Sequence, residues 1–291
     1  MSRISTSCAP SMLRLLSACI VATVGASTVS AQATQPDYAT AMRHEHAMDT
    51  QAPSPAALIA PRADVTTETV TYATVNGKPI KGFLAKPAKG GNGKPALVMV
   101  HEWWGLNDNI EAVAKRYAGE GYTVLAVDLF GKVATTPDDA MKQYQAAMAD
   151  VPSGEKNVAG AVKYLKKAGA TSIGSIGYCF GGHWSLRTGL VGGKDIKAVV
   201  IYYGAPITDA TQLAKLSAPV LGMYGGKDTG IPQDSVQAMA KKMNNAGRKV
   251  EIKVYADANH GFANPTGQAY NKEAAEDAWT KSLAFFKANL K

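Results

Sequence analysis

From residue 95 to residue 291 the chain alternates short continuous apolar runs with amphipathic stretches, and this alternation is the strongest constraint on its fold. The runs ALVMVHEWW, TVLAVDLF, SIGSIGYC, AVVIYYG, APVLGMYGG and VEIKVYAD are largely apolar at consecutive positions, the pattern of strands buried on both faces. Between them, helical periodicity covers 109–120, 137–150, 154–168, 235–245 and 271–289, with a short helix after SIGSIGYC. The pattern predicts an α/β fold: a mostly parallel central sheet with helices on both faces. Ahead of it, TETVTYAT and KPIKGFLAKP flank Asn76-Gly77, a strong hairpin signal because both residues tolerate positive φ. No internal repeat or linker divides residues 65–291, which are read as one domain.

The first 31 residues have a different character. Arg3 and Arg14 precede an apolar stretch at 15–29, no acidic residue occurs, and Val29-Ser30-Ala31 has the small residues that signal peptidase requires. The segment predicts a cleavable signal peptide cut after Ala31, and hence a periplasmic or secreted protein with no stable membrane association. Residues 32–64, rich in Ala, Pro, Thr and Gln, read as a flexible leader. His44-Glu45-His46 lies within it and lacks the further ligands of a defined metal site. Of the net charge of +8, removal of the signal leaves +6, spread at helical spacing as solvated faces, so no nucleic-acid partner is expected. Cys8 and Cys19 leave with the signal, and Cys179 becomes the only thiol. A lone thiol forms no intramolecular disulfide and has no resolving partner, which argues against a redox protein.

The chemistry gathers at the carboxyl ends of the strands. Gly177-Tyr178-Cys179-Phe180-Gly181-Gly182 joins a strand to a helix in the G-x-nucleophile-x-G pattern, where a tight turn lifts one side chain above the sheet. At a helix N-terminus the amide dipoles favour the thiolate. Asp228 follows the strand LGMYGG and His260 follows VEIKVYADA. The order nucleophile, acid, histidine is that of an α/β-hydrolase triad, with His260 as base and Asp228 fixing its tautomer. In that layout the loop after ALVMV supplies one oxyanion amide, assigned to Trp103, and Phe180 supplies the second. Trp103, Trp104, Tyr202 and Phe262 are expected to line an aromatic pocket.

His101-Glu102-Trp103-Trp104-Gly105-Leu106, the Gly-Tyr-Cys elbow and the late Gly-His-Gly-Phe-like segment Asn259-His260-Gly261-Phe262 together resemble the dienelactone hydrolase family over roughly residues 66–290. The resemblance implies an α/β-hydrolase fold without metal or cofactor. It also implies opening of an unsaturated lactone through an acyl-thiol intermediate, and a role for Glu102 as acceptor of the thiol proton. The resting Cys179 would then stay partly protonated. Where the family binds the lactone carboxylate with two arginines, this chain has Lys132 and Asn264, so reaction type carries over more firmly than substrate. The reading is a monomeric hydrolase of small lactones or esters. The alternative is a non-catalytic or small-molecule-binding member of the superfamily.

Overall fold

A computed structural model describes residues 38–47, 59–89 and 95–291. Residues 1–31, where the sequence predicts a signal peptide, and most of residues 32–64 fall outside the described residues.

Eight strands form one sheet: β1 (Val65–Val75), β2 (Lys78–Pro87), β3 (Ala96–Val100), β4 (Thr123–Val127), β5 (Ile173–Tyr178), β6 (Ile196–Tyr202), β7 (Val220–Gly225) and β8 (Val250–Tyr255). Their spatial order is β1-β2-β4-β3-β5-β6-β7-β8. β1 pairs antiparallel with β2 and β2 antiparallel with β4, while every other pairing is parallel. Val75 faces Lys78 across the two-residue turn, and Asn76 and Gly77 take φ of 50° and 77°, so the hairpin forms where the sequence places it.

Every residue of β3, β4, β5 and β7 is buried, because helices cover both faces of the sheet centre. These helices are α2 (Asp108–Gly119), α3 (Pro137–Ala149), α4 (Val151–Lys167), α5 (Phe180–Gly192), α6 (Ala210–Leu213), α7 (Gln233–Asn245) and α8 (Lys272–Asn289). Side-chain caps start several of them: Asn107 accepts from Ile110 N–H, Thr136 from Asp139 N–H and Asn271 from Ala274 N–H. Each replaces a partner that the first helical turn lacks.

α5 runs through the interior, and small residues let it approach the sheet. A methyl group at Gly189 would meet the Val199 side chain at 2.6 Å, and one at Gly182 would meet the Tyr202 carbonyl at 2.7 Å. The hydroxyls on this seam are satisfied internally, Ser175 donating to Ser185 O at 2.9 Å and Ser185 to Val200 O at 3.0 Å. The strand that carries Cys179 is therefore fixed by backbone packed against backbone.

One element lies within the segment that the sequence reads as flexible. Tyr38–Glu45 form a helix, α1, which buries Met42 and, just beyond its end, His46. Arg43 pairs with Asp138 on α3 at 2.7 Å, and Thr229 donates to Glu45. Docking supplies the stability that eight residues alone do not provide.

Candidate active site

The β5–α5 turn sets the site. Cys179 has φ of 54° and ψ of −118°, a backbone conformation that L-residues rarely adopt, and its sulfur is buried. Two glycines make this turn possible. A methyl group at Gly177 would collide with the Gly181 carbonyl, and one at Gly181 would collide with the Val100 carbonyl on β3. The strain is held by the surrounding backbone, with Cys179 N–H donating to Tyr202 O at 3.0 Å.

Asp228, after β7, and His260, after β8, meet in full burial. His260 Nδ1 donates to Asp228 Oδ2 at 2.8 Å, with neither side chain exposed. The other oxygen, Asp228 Oδ1, accepts from the amides of Gly230 at 2.9 Å and Ile231 at 2.8 Å. Those amides fix the carboxylate, and the carboxylate fixes the imidazole tautomer, leaving His260 Nε2 for the thiol side. His260 Nε2 has no hydrogen-bond partner among the described residues. Cys179 Sγ and one ring nitrogen each of His46 and His260 lie within 4.8 Å of one another.

Electrostatics follow from this geometry. Burial by itself would raise the Cys179 thiol, but the His260 and His46 imidazoles outweigh it and hold the pKa at about 6. For His260, burial works against the charged form, and the Cys179 sulfur and Asp228 carboxylate overcome it, raising the group well above its ordinary value. The thiolate–imidazolium form is thus favoured at neutral pH.

Glu102 is buried, and the Tyr203 hydroxyl donates to its Oε1 at 3.0 Å. The resemblance implies a partly protonated thiol beside this glutamate. The structure ties Glu102 to Tyr203, and the two imidazoles beside the sulfur lower the thiol. His101 anchors the same loop. Its Nε2 accepts from Leu129 N–H at 3.1 Å, so its Nδ1 carries the proton donated to Glu102 O at 2.7 Å, and burial keeps the ring neutral.

The remaining sequence-derived residues divide. Trp103 is fully buried, with its ring stacked on His46 at 5.4 Å between centroids. Phe180 and Cys179 share a small cavity of about 90 Å³, lined also by Met42, Tyr144, His183 and Tyr203. Trp104 packs edge-on against Trp103, and Phe262 packs among Tyr202, Tyr203 and Tyr255. The Tyr202 side chain is not brought to the thiol; its hydroxyl pairs with Ser282 of α8 at 2.8 Å. Lys132 is exposed and paired with Asp139 at 2.7 Å. Asn264 is buried, its Oδ1 accepting from Asn109 Nδ2 at 3.2 Å, Thr266 N–H at 3.0 Å and the Thr266 hydroxyl at 2.9 Å. Lys132 is thus paired at the surface, while the buried Asn264 Nδ2 has no partner among the described residues.

Sequence reasoning missed Tyr203, His183, Met42 and the place of His46. His183 donates from Nδ1 to Ala205 O and accepts from Arg187 Nε at 2.8 Å, with burial and the Arg187 charge lowering it to about 4. Met42 and His46 stand four residues apart, one turn of helix, and that spacing was the available signal.

Comparison with known proteins gives a consistent picture. The model of the dienelactone hydrolase family matches residues 80–290. A Saccharolobus solfataricus protein provisionally named carboxymethylenebutenolidase is 31% identical over 254 residues, covering 73% of this chain and 95% of the relative. The Aquifex pyrophilus protein named usf is 34% identical over 227 residues, covering 74% and 96%. Among solved structures, a provisionally assigned dienelactone hydrolase from Klebsiella pneumoniae superposes with a TM-score of 0.70 at 24% identity, covering 77% of this chain and 99% of that one. The last likeness speaks for the fold.

Proposed function

The chain belongs to the dienelactone hydrolase family, and from that premise we propose that it is an exported, cysteine-dependent hydrolase of lactones or small carboxylic esters. Carboxylic-ester hydrolysis follows from the family; the thiol mechanism, the triad and export are the finer reading. The observation that carries it is the buried Asp228–His260 pair, with the free face of His260 toward a thiol on a strained strand–helix turn.

In this mechanism the Cys179 thiolate adds to the ester carbonyl carbon, and the displaced π electrons move to oxygen. The amides of Trp103 and Phe180 receive that oxyanion. Collapse breaks the C–O bond, and the departing alkoxide takes a proton from His260 Nε2, leaving the acyl group on sulfur. Water then adds as His260 takes its proton, and a second collapse returns the thiolate and releases the acid. In a lactone the departing alkoxide stays tethered to the acyl chain.

The substrate class follows from what surrounds the sulfur. With Lys132 exposed and paired with Asp139, and the uncharged Asn264 at the second position, the two guanidinium forks of the resemblance have no equivalent, so uncharged small esters and lactones fit better than a charged dienelactone. Kinetics with neutral short-chain esters and with dienelactone, each against Cys179→Ala, test this. The proposal expects Cys179-dependent turnover, with the neutral ester preferred in kcat/KM. Equal turnover by wild type and Cys179→Ala would remove the thiol mechanism.

Export rests on Arg3, Arg14, the apolar stretch and Val29-Ser30-Ala31. Mass spectrometry of the chain recovered from a bacterial periplasm should give an N-terminus at Gln32. A cytoplasmic chain that keeps residues 1–31 would contradict it.

A further inference from the structure

Four side chains converge beside the elbow. Cys179 Sγ lies 3.6 Å from His46 Nε2 and 3.5 Å from Met42 Sδ, and a ring nitrogen of His260 completes a cluster with the first two inside 4.8 Å. All four residues are buried, and the unpartnered His260 Nε2 is among the atoms in reach. Asp228 holds the far nitrogen of His260 at 2.8 Å, as a carboxylate does when it orients a metal-ligating histidine and raises its basicity.

We propose that the leader completes a copper site here, with Cys179, His46 and His260 as close ligands and Met42 as a weak fourth. One thiolate, two imidazoles and a thioether form the soft donor set that suits copper. Structural zinc sites, in contrast, close their tetrahedron with thiolates, imidazoles or carboxylates. Copper also stands above zinc in affinity for a given N/S site. Ligands about 2.0–2.3 Å from a common ion stand about 3.3–3.8 Å apart, so the Cys179–His46 edge already fits and the longest edge closes by about 1 Å.

The site joins two parts of the chain. Cys179 and His260 come from the hydrolase core, and His46 and Met42 come from α1 and its end. A bound ion pins residues 38–47 over the nucleophile. Ion and acyl group compete for the same sulfur, so the copper-loaded protein does not hydrolyse esters. This inference goes beyond the hydrolase reading and does not depend on it, because coordination needs only the four side chains.

The test is anaerobic titration of the full chain with copper(II) chloride. Binding is followed by visible absorption and by protection of Cys179 from iodoacetamide that a copper chelator reverses, which separates ligation from oxidation of the thiol. One equivalent should bring a thiolate-to-copper(II) charge-transfer band together with that protection. His46→Ala should weaken binding by about tenfold or more. Met42→Leu should keep the ion but shift the band. His44→Ala, on the exposed side of the same helix, should change nothing.

Loss of binding in His44→Ala would assign the ion to His44-Glu45-His46, and full binding in His46→Ala would place it away from this cluster; either result overturns the proposal. Preferential uptake of Zn²⁺ when both ions are offered would overturn the choice of copper. Ester hydrolysis by the metal-free protein, measured in parallel, separates the two readings. An active protein that takes up no copper loses only the metal site, and an inactive protein that binds it through these residues loses only the hydrolase.

Discussion

Cys179 is where backbone strain, burial and charge coincide. Its thiol is held at about 6 and His260 is raised, so the thiolate–imidazolium pair forms as pH rises through about 6 and is lost when the imidazolium gives up its proton in the alkaline range. kcat/KM should therefore rise from pH 5 through about 6, and a flat profile from pH 5 to 9 would refute the pairing. Asp228→Asn should lower kcat by about 10³–10⁴, because the amide no longer enforces the tautomer that presents Nε2 to the sulfur. Loss of less than tenfold would place Asp228 outside the machinery. Gly177→Ala tests the turn itself. With the Gly181 carbonyl in the way, more than about 4 kcal/mol of stability should go, read as a large fall in the denaturant midpoint. A variant as stable as wild type would mean that the elbow is not as tight as described.

The elements show which parts of this molecule a sequence can reveal. β3, β4, β5 and β7 were legible because strands covered on both faces carry unbroken apolar runs, and the Asn76-Gly77 turn because its φ values admit few other residues. The Cys179–Asp228–His260 order was legible because each residue follows a strand. Tyr203 was not. Strand alternation sends Tyr202 and Tyr203 to opposite faces without saying which one meets the site; Tyr203 takes φ of 39°, and its hydroxyl reaches Glu102 while that of Tyr202 pairs with Ser282 on α8. α1 was hidden because its sequence has little helical signal of its own and its order comes from docking Met42 and His46. That docking has a kinetic consequence. With Met42 and His46 against the sulfur, an incoming carbonyl must displace at least one of them, and the cavity beside the thiol is only about 90 Å³. Deleting residues 32–58 should raise kcat/KM for esters with bulky acyl groups by about tenfold, the equivalent of roughly 1.4 kcal/mol, and leave acetyl esters less affected. An unchanged ratio of bulky to small substrates would show that α1 does not limit entry.

For the molecule as a whole, an α/β core buries Cys179 on a strand–helix turn, and the short helix α1 lies over it. No helix among the described residues is long and apolar enough to cross a membrane. The family supplies the reaction class; in this chain two imidazoles lie beside the Cys179 thiol, Tyr203 holds Glu102, and Lys132 and Asn264 stand where the resemblance has arginines. The covalent step is the centre of this account. Intact-protein mass spectrometry of the chain, quenched early in hydrolysis of a small ester, examines it directly. The account predicts one acyl adduct, mapped to the peptide containing Cys179 and absent from Cys179→Ala, whose turnover falls by about 10³ or more. An adduct on another residue, or a Cys179→Ala variant that hydrolyses the ester at the wild-type rate, would contradict it.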